Sequence, residues 1–95
     1  MLNLATVWIF WNETGSQTTN GFVKDWEAIQ ETKTLEICQL AASERTGAMV
    51  QVLKEKYGGL QIKNGTTVTQ FSHLQKTVTM VISYKCWPET MDPRK

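Results

Sequence analysis

The sequence predicts a single small α+β domain in which an antiparallel sheet of about four strands packs against helices. Three stretches predict it. Between Ala42 and Tyr57, apolar side chains at Met49, Val50, Leu53 and Tyr57 recur at the spacing of one helical face. Asn64-Gly65 lies between two strand-like runs and is the strongest hairpin signal in the chain, because a tight two-residue loop needs positive φ. Farther on, Val78, Met80, Ile82 and Tyr84 alternate with Thr77, Thr79, Val81, Ser83 and Lys85, which is the period of a strand. With 95 residues, 41% of them hydrophobic, the chain can build one core and not two.

In chain order, Leu2 to Trp11 is the most hydrophobic segment and has to be buried. As a strand it would be covered on both faces, and as a helix its apolar belt would be nearly continuous. Its β-branched and aromatic content favours the strand, although periodicity alone does not decide. Asn12 to Gly21 is polar and reads as a turn or loop. Phe22 to Glu31 fits either period. From Thr34 to Leu40, the alternation of Leu35, Ile37 and Gln39 with Glu36, Cys38 and Leu40 reads as a mostly buried strand. Ser43 is then the expected N-cap of the helix, Glu44 suits its positive end, and Lys54 and Lys56 suit its negative end. Gly47 costs about 1 kcal/mol relative to alanine inside a helix. Gly58 or Gly59 is expected to close the helix in the left-handed conformation.

The Asn64-Gly65 turn predicts a register in which Lys63 faces Thr66, Ile62 faces Thr67, Gln61 faces Val68 and Leu60 faces Thr69. Leu60, Ile62 and Phe71 then share one side of the ribbon. Gln61, Lys63, Thr66 and Gln70, interrupted by Val68, share the other, which is expected to meet solvent or a polar ligand. Ser72 to Lys76 is a short connector. Pro88, Pro93 and the charged ending Met91-Asp92-Pro93-Arg94-Lys95 predict a domain over residues 1–88 and a flexible tail over 89–95.

The net charge is +1, yet residues 1–44 hold six acids and two lysines while residues 45–95 hold eight basic residues and three acids. That split permits an anionic partner on the C-terminal half. Cys38, Cys86 and the lone His73 make neither a CxxC pair nor a zinc set. Cys38 is most simply a small core residue, and a Cys38–Cys86 bridge requires their two strands to be neighbours. Asn12-Glu13-Thr14 and Asn64-Gly65-Thr66 fit the glycosylation sequon, though the turn already accounts for Asn64. The first residues show no basic region before their apolar run, so neither a secretion signal nor a membrane span is expected, and an intracellular protein is the default. Enzyme chemistry lacks parts: one histidine, no nucleophile turn, no phosphate loop, and acids Asp25, Glu27, Glu31 and Glu36 in no acid/base pairing.

One family resemblance spans about Ala5 to Lys85. Trp8-Ile9-Phe10-Trp11-Asn12-Glu13-Thr14-Gly15-Ser16 resembles a degraded form of the signature of LAGLIDADG homing endonucleases, in which an apolar helix ends in an acid just before Gly-Ser. Thr34-Leu-Glu-Ile-Cys-Gln, Val52-Leu-Lys-Glu-Lys-Tyr-Gly-Gly and Leu60-Gln-Ile-Lys are similar to the strand, helix and strand of the same family's core. The resemblance implies an αββαββ half whose saddle-shaped sheet lies in the DNA major groove, working as a homodimer. It also implies helix-end acids that bind a divalent metal such as Mg2+. In this chain Thr14 stands where the metal-binding carboxylate belongs, which leaves Glu13 as the one candidate for catalysis and metal. Threonine lacks the anionic oxygen that hard cations prefer.

Two functions follow as expectations. The first is a double-stranded DNA-binding protein of this ancestry, more a binder than a metal-dependent endonuclease, contacting DNA through Lys24, Lys33, Gln61, Lys63, Thr66 and Gln70. Glutamine can read adenine and lysine can read guanine or phosphate. The second is a protein–protein interaction module, such as a viral or phage accessory protein. It would use a strand edge or the aromatic potential of Trp8, Trp11, Trp26 and Trp87.

Overall fold

A computed structural model describes residues 7–72 and 77–94. The start of the Leu2–Trp11 segment, His73, most of the 72–76 connector and Lys95 lie outside the described residues. The element order is β1 (Trp8–Thr18), β2 (Gly21–Thr32), α1 (Leu35–Tyr57), β3 (Leu60–Asn64), β4 (Thr67–Phe71) and β5 (Val78–Pro88). All pairings are antiparallel, in the spatial order β2-β1-β5-β4-β3. This is a ββαβββ layout with five strands and one helix among the described residues. It corrects the expected four-stranded αββαββ half.

The correction begins at the N-terminus. From Trp8 the aromatic and β-branched run is a strand, and adjacent residues are buried on opposite sides: Phe10 is 3% exposed and Trp11 4%. Asn12 to Thr18, expected as a loop, continues that strand. Thr19 and Asn20 form the turn, Gly21 holds φ at 110°, and the Thr18 hydroxyl donates to Gly21 O at 2.7 Å. Gly15 is a strand residue because the Phe22 ring lies over it; a Cβ there would come 2.8 Å from Phe22 Cζ and nearer still to Cε1.

Thr34 to Leu40 is also corrected, from strand to the first turns of a 23-residue helix. Thr34, not Ser43, is the N-cap: its hydroxyl accepts from Ile37 N–H at 3.1 Å. The face turned to the sheet carries Cys38, Ala42, Thr46, Met49 and Leu53, mostly small residues that let the helix approach closely. Thr46 is fully buried and returns its hydroxyl to Ala42 O at 2.6 Å. At the other end Gly58, at φ 66°, closes the helix with its N–H on Lys54 O at 3.0 Å, as expected for a glycine stop.

The helix is about 34 Å long, more than the roughly 19 Å width of five strands, so one element carries the chain from the β2 edge to the β3 edge. Beneath it lie Phe10, Val68, Ile82 and Tyr84, all buried, with Phe10 and Tyr84 in tilted ring contact at 5.5 Å. A Cys38–Cys86 disulfide, with Cα atoms 6.0 Å apart, ties the helix to β5 across this core. Its two cysteines come from helix and strand rather than from two strands. The body is 17 Å thick, room for the sheet and one helical layer.

The β3–β4 register is shifted by two residues from expectation: Leu60 faces Phe71, Gln61 faces Gln70, Ile62 faces Thr69 and Asn64 faces Thr67. The loop is therefore Gly65-Thr66. Such a shift leaves the sides unchanged, so Leu60, Ile62 and Phe71 still share one. Which side is covered is the reverse of the expectation. The helix covers the Gln61, Val68 and Gln70 side, with Gln70 3% exposed, while Leu60 is 56% and Ile62 47% exposed.

Candidate binding surface

Strand alternation places Trp11, Glu13 and Gly15 of β1, Lys24, Trp26 and Ala28 of β2, and Val81, Ser83, Lys85 and Trp87 of β5 on the side away from the helix. Thr67 and Thr69 of β4 and Leu60 and Ile62 of β3 continue the same side. Among the described residues no helix covers it. Phe22, packed over Gly15, adds a further 42%-exposed aromatic.

Tryptophans dominate one end. Trp11 and Trp26 meet edge to face, with ring centroids 6.3 Å apart. The Lys85 ammonium stands 5.6 Å from the Trp26 centroid and the Arg94 guanidinium carbon 5.2 Å from that of Trp11. Residues 89–94 turn back to make this possible: Glu89 N–H donates to Val7 O at 2.9 Å, and Arg94 forms a paired contact with Asp92, Nε to Oδ1 at 3.0 Å and Nη2 to Oδ2 at 2.9 Å. The hydrogen bond to Asp92 first, and its charge second, raise the Arg94 pKa above its ordinary value. The indole N–H groups of Trp11 and Trp87 are buried and have no hydrogen-bond partner. Buried indoles ordinarily find an acceptor.

The middle of the face is polar and self-contained, with Thr67 Oγ1 and Ser83 Oγ 2.9 Å apart. Toward the β3 edge it becomes aliphatic at Leu60 and Ile62. The face thus runs from aromatic and cationic, through neutral, to aliphatic.

The residues singled out from sequence are divided between the two sides. Gln61 and Gln70 lie on the helix side and are committed to each other and to the helix end. Gln61 Nε2 donates to Gly58 O at 2.6 Å and to Gln70 Oε1 at 2.9 Å, and Gln70 Nε2 donates to Gly58 O and Phe71 O, each at 2.9 Å. Lys63 shares their row but is exposed. Thr66 is half-buried in the loop, and its carbonyl accepts from Tyr84 N–H at 3.0 Å. Lys24 is exposed on the edge strand of the open side, opposite Gly15, and Lys33 is exposed between β2 and α1.

Glu13 is half-buried on the open side, opposite Trp26 and Ser83, within a strand rather than at a helix end. No group of three or more His, Cys, Asp or Glu among the described residues could hold a metal ion. Glu13 is therefore part of no such group among the described residues. Lys85 and Arg94 were missed as members of the surface. Lys85 was legible as a strand residue two positions before Trp87, whereas Arg94 reaches Trp11 only because the tail folds back.

Beside the helix, a shallow groove of about 340 Å³ is lined by Leu35, Gln39, Thr66 and Cys86 among others. Its lining contains no Asp, Glu or His. No described helix is long and apolar enough to cross a membrane. Comparison with models of known protein families, with curated proteins and with solved structures finds no match.

Proposed function

We propose that the protein is an interaction module that docks a partner protein on the open face of its sheet. The observation that carries this reading is the aromatic end of that face, where Trp11 and Trp26 meet edge to face with Lys85 and Arg94 over their rings. Aromatic and arginine side chains are those enriched at the energetic centres of protein interfaces. The DNA reading is less well supported, because Gln61 and Gln70 already spend their donors on Gly58 and Phe71.

Affinity isolation from the native source with three forms of the chain tests the proposal: the unaltered protein, an open-face variant (Trp26→Ala with Ile62→Lys), and an outer-helix variant (Leu40→Lys with Val52→Lys). Val52 and Leu40 are 49% and 61% exposed, so the last pair controls for surface charge. A partner lost from the open-face variant and kept by the outer-helix variant is expected. The opposite pattern would move the site to the helix. Binding to a mixed duplex DNA pool that falls steeply with salt, and is abolished by Lys63→Glu with Lys24→Glu, would restore the DNA reading.

A further inference from the structure

The chain contains two Asn-X-Thr tripeptides, and their surroundings differ. Asn12 lies in β1, hydrogen-bonded between β2 and β5, opposite Glu27 on one side and Tyr84 on the other. It is half-buried, and its side-chain oxygen accepts from the Thr14 hydroxyl at 3.4 Å. Asn64 is the last residue of β3, exposed at the lip of a hairpin whose next residue, Gly65, holds φ at 62°. A large oligosaccharide at Asn64 would extend into solvent without disturbing a neighbour.

Two further observations point the same way. Cys38 and Cys86 are joined in a disulfide within the core, and no free cysteine remains among the described residues. Protein disulfides of this structural kind form and persist in oxidising compartments, where N-linked glycans are also added. In addition, Asn64 alternates with Leu60 and Ile62 along an edge strand, so it belongs to the row of that strand's two exposed aliphatic side chains. Exposed apolar edge strands invite pairing with other chains, and a bulky polar group at one end of the row obstructs it.

We infer that Asn64 is an N-glycan attachment site and that the disulfide-bonded chain, against the intracellular default read from its first residues, matures in an oxidising secretory compartment. The donor is an oligosaccharide carried on a lipid diphosphate. Asn64 Nδ2 attacks the anomeric carbon, a C–N bond forms as the C–O bond to diphosphate breaks, the amide nitrogen gives up one proton, and the lipid diphosphate leaves. Thr66 supplies the hydroxyl the tripeptide requires. The inference rests on the hairpin and the disulfide, not on what the open face binds.

The test is secretion of the full chain from cultured animal cells behind a cleavable signal sequence. Intact mass, thiol titration and peptide-N-glycosidase digestion in heavy-oxygen water then mark the site. A disulfide-bonded product with a glycan on Asn64 is expected, lost in Thr66→Ala and Asn64→Gln and kept in Thr66→Ser and Thr14→Ala. The Thr66 pair removes and restores the signal without altering Asn64 at the end of β3. A secreted product with Asn64 unmodified, or with a glycan at Asn12 in its place, overturns the assignment. The chain isolated from its native source with free thiols and no glycan overturns the compartment.

Discussion

The two sides of the sheet are built from similar alternating strands and end in opposite conditions. On the helix side Val68, Ile82 and Tyr84 are nearly fully buried, together with the polar Gln70. On the open side the aliphatic Leu60 and Ile62 reach solvent, and burial is concentrated at Trp11 and Ser83. Polarity alone does not sort them. The helix side tolerates a buried glutamine because each of its amide hydrogens has an acceptor, and the open side exposes aliphatics because nothing in the described chain covers them. The difference teaches that the covering element, not the mean hydropathy of a strand face, decides which side is inside.

The bridge between helix and sheet offers the largest way to break that asymmetry. Cys38 and Cys86 are 48 positions apart, and closing a loop of that length constrains the unfolded chain by about 4 kcal/mol. Urea denaturation of Cys38→Ala with Cys86→Ala, or of the reduced protein, should show a loss of that order. A change under about 1 kcal/mol would mean that the helix needs no tether.

Next in size is a matched pair of truncations. Val68→Ala removes two methyl groups from a fully buried site and should cost about 2 kcal/mol. Ile62→Ala, on the neighbouring strand but 47% exposed, should change stability by about 0.5 kcal/mol or less. Equal costs would show that the open side is covered in solution. Gln70→Ala should fall between these, about 1–2 kcal/mol, since Phe71 O and Gln61 lose partners while Gly58 O keeps the bond from Gln61. Hydrogen exchange at Gly58, whose N–H closes the helix, would report the same change locally.

What sequence could reveal of this follows from how local each signal is. The stop at Gly58, the existence of the β3–β4 hairpin, though not its register or its covered side, and the β5 alternation depend on a few adjacent residues and were legible. Thr34 to Leu40 was not, because Leu35 and Ile37, and then Cys38 and Leu40, stand at the two-residue spacing of a strand, although Ile37 and Leu40 sit on the outer side of the helix, 50% and 61% exposed. The ladder Cys38, Ala42, Thr46 at i, i+4 was the better signal, hidden by its small residues. Gly15 looked like a turn because its reason, the Phe22 ring, comes from the opposite strand. The site was legible only in its tryptophans. Arg94 and the cover over Gln70 depend on long-range packing that no window of sequence contains.

Tyr84 gives the smallest effect and the finest test of the covered side. Burial is the main cause that raises its pKa above the ordinary 10.0, partly offset by the charge of Arg45 and by hydrogen bonding toward it. Its hydroxyl nonetheless lacks a well-formed hydrogen bond, so Arg45 acts there chiefly through its charge. A raised pKa means the folded state holds the phenol proton more firmly than the unfolded chain does. The stability linked to this proton is fully present below about pH 10 and is lost as pH rises through the folded pKa. Tyr84→Phe keeps the ring contact with Phe10, removes an unpaired hydroxyl, and should shift stability near neutral pH by less than about 1 kcal/mol. Urea midpoints at about pH 8 and about pH 11 should then diverge less for the variant than for the unaltered protein. An identical alkaline loss in both would show that the hydroxyl reaches water in the folded state, and hence that the helix leaves this part of the sheet open.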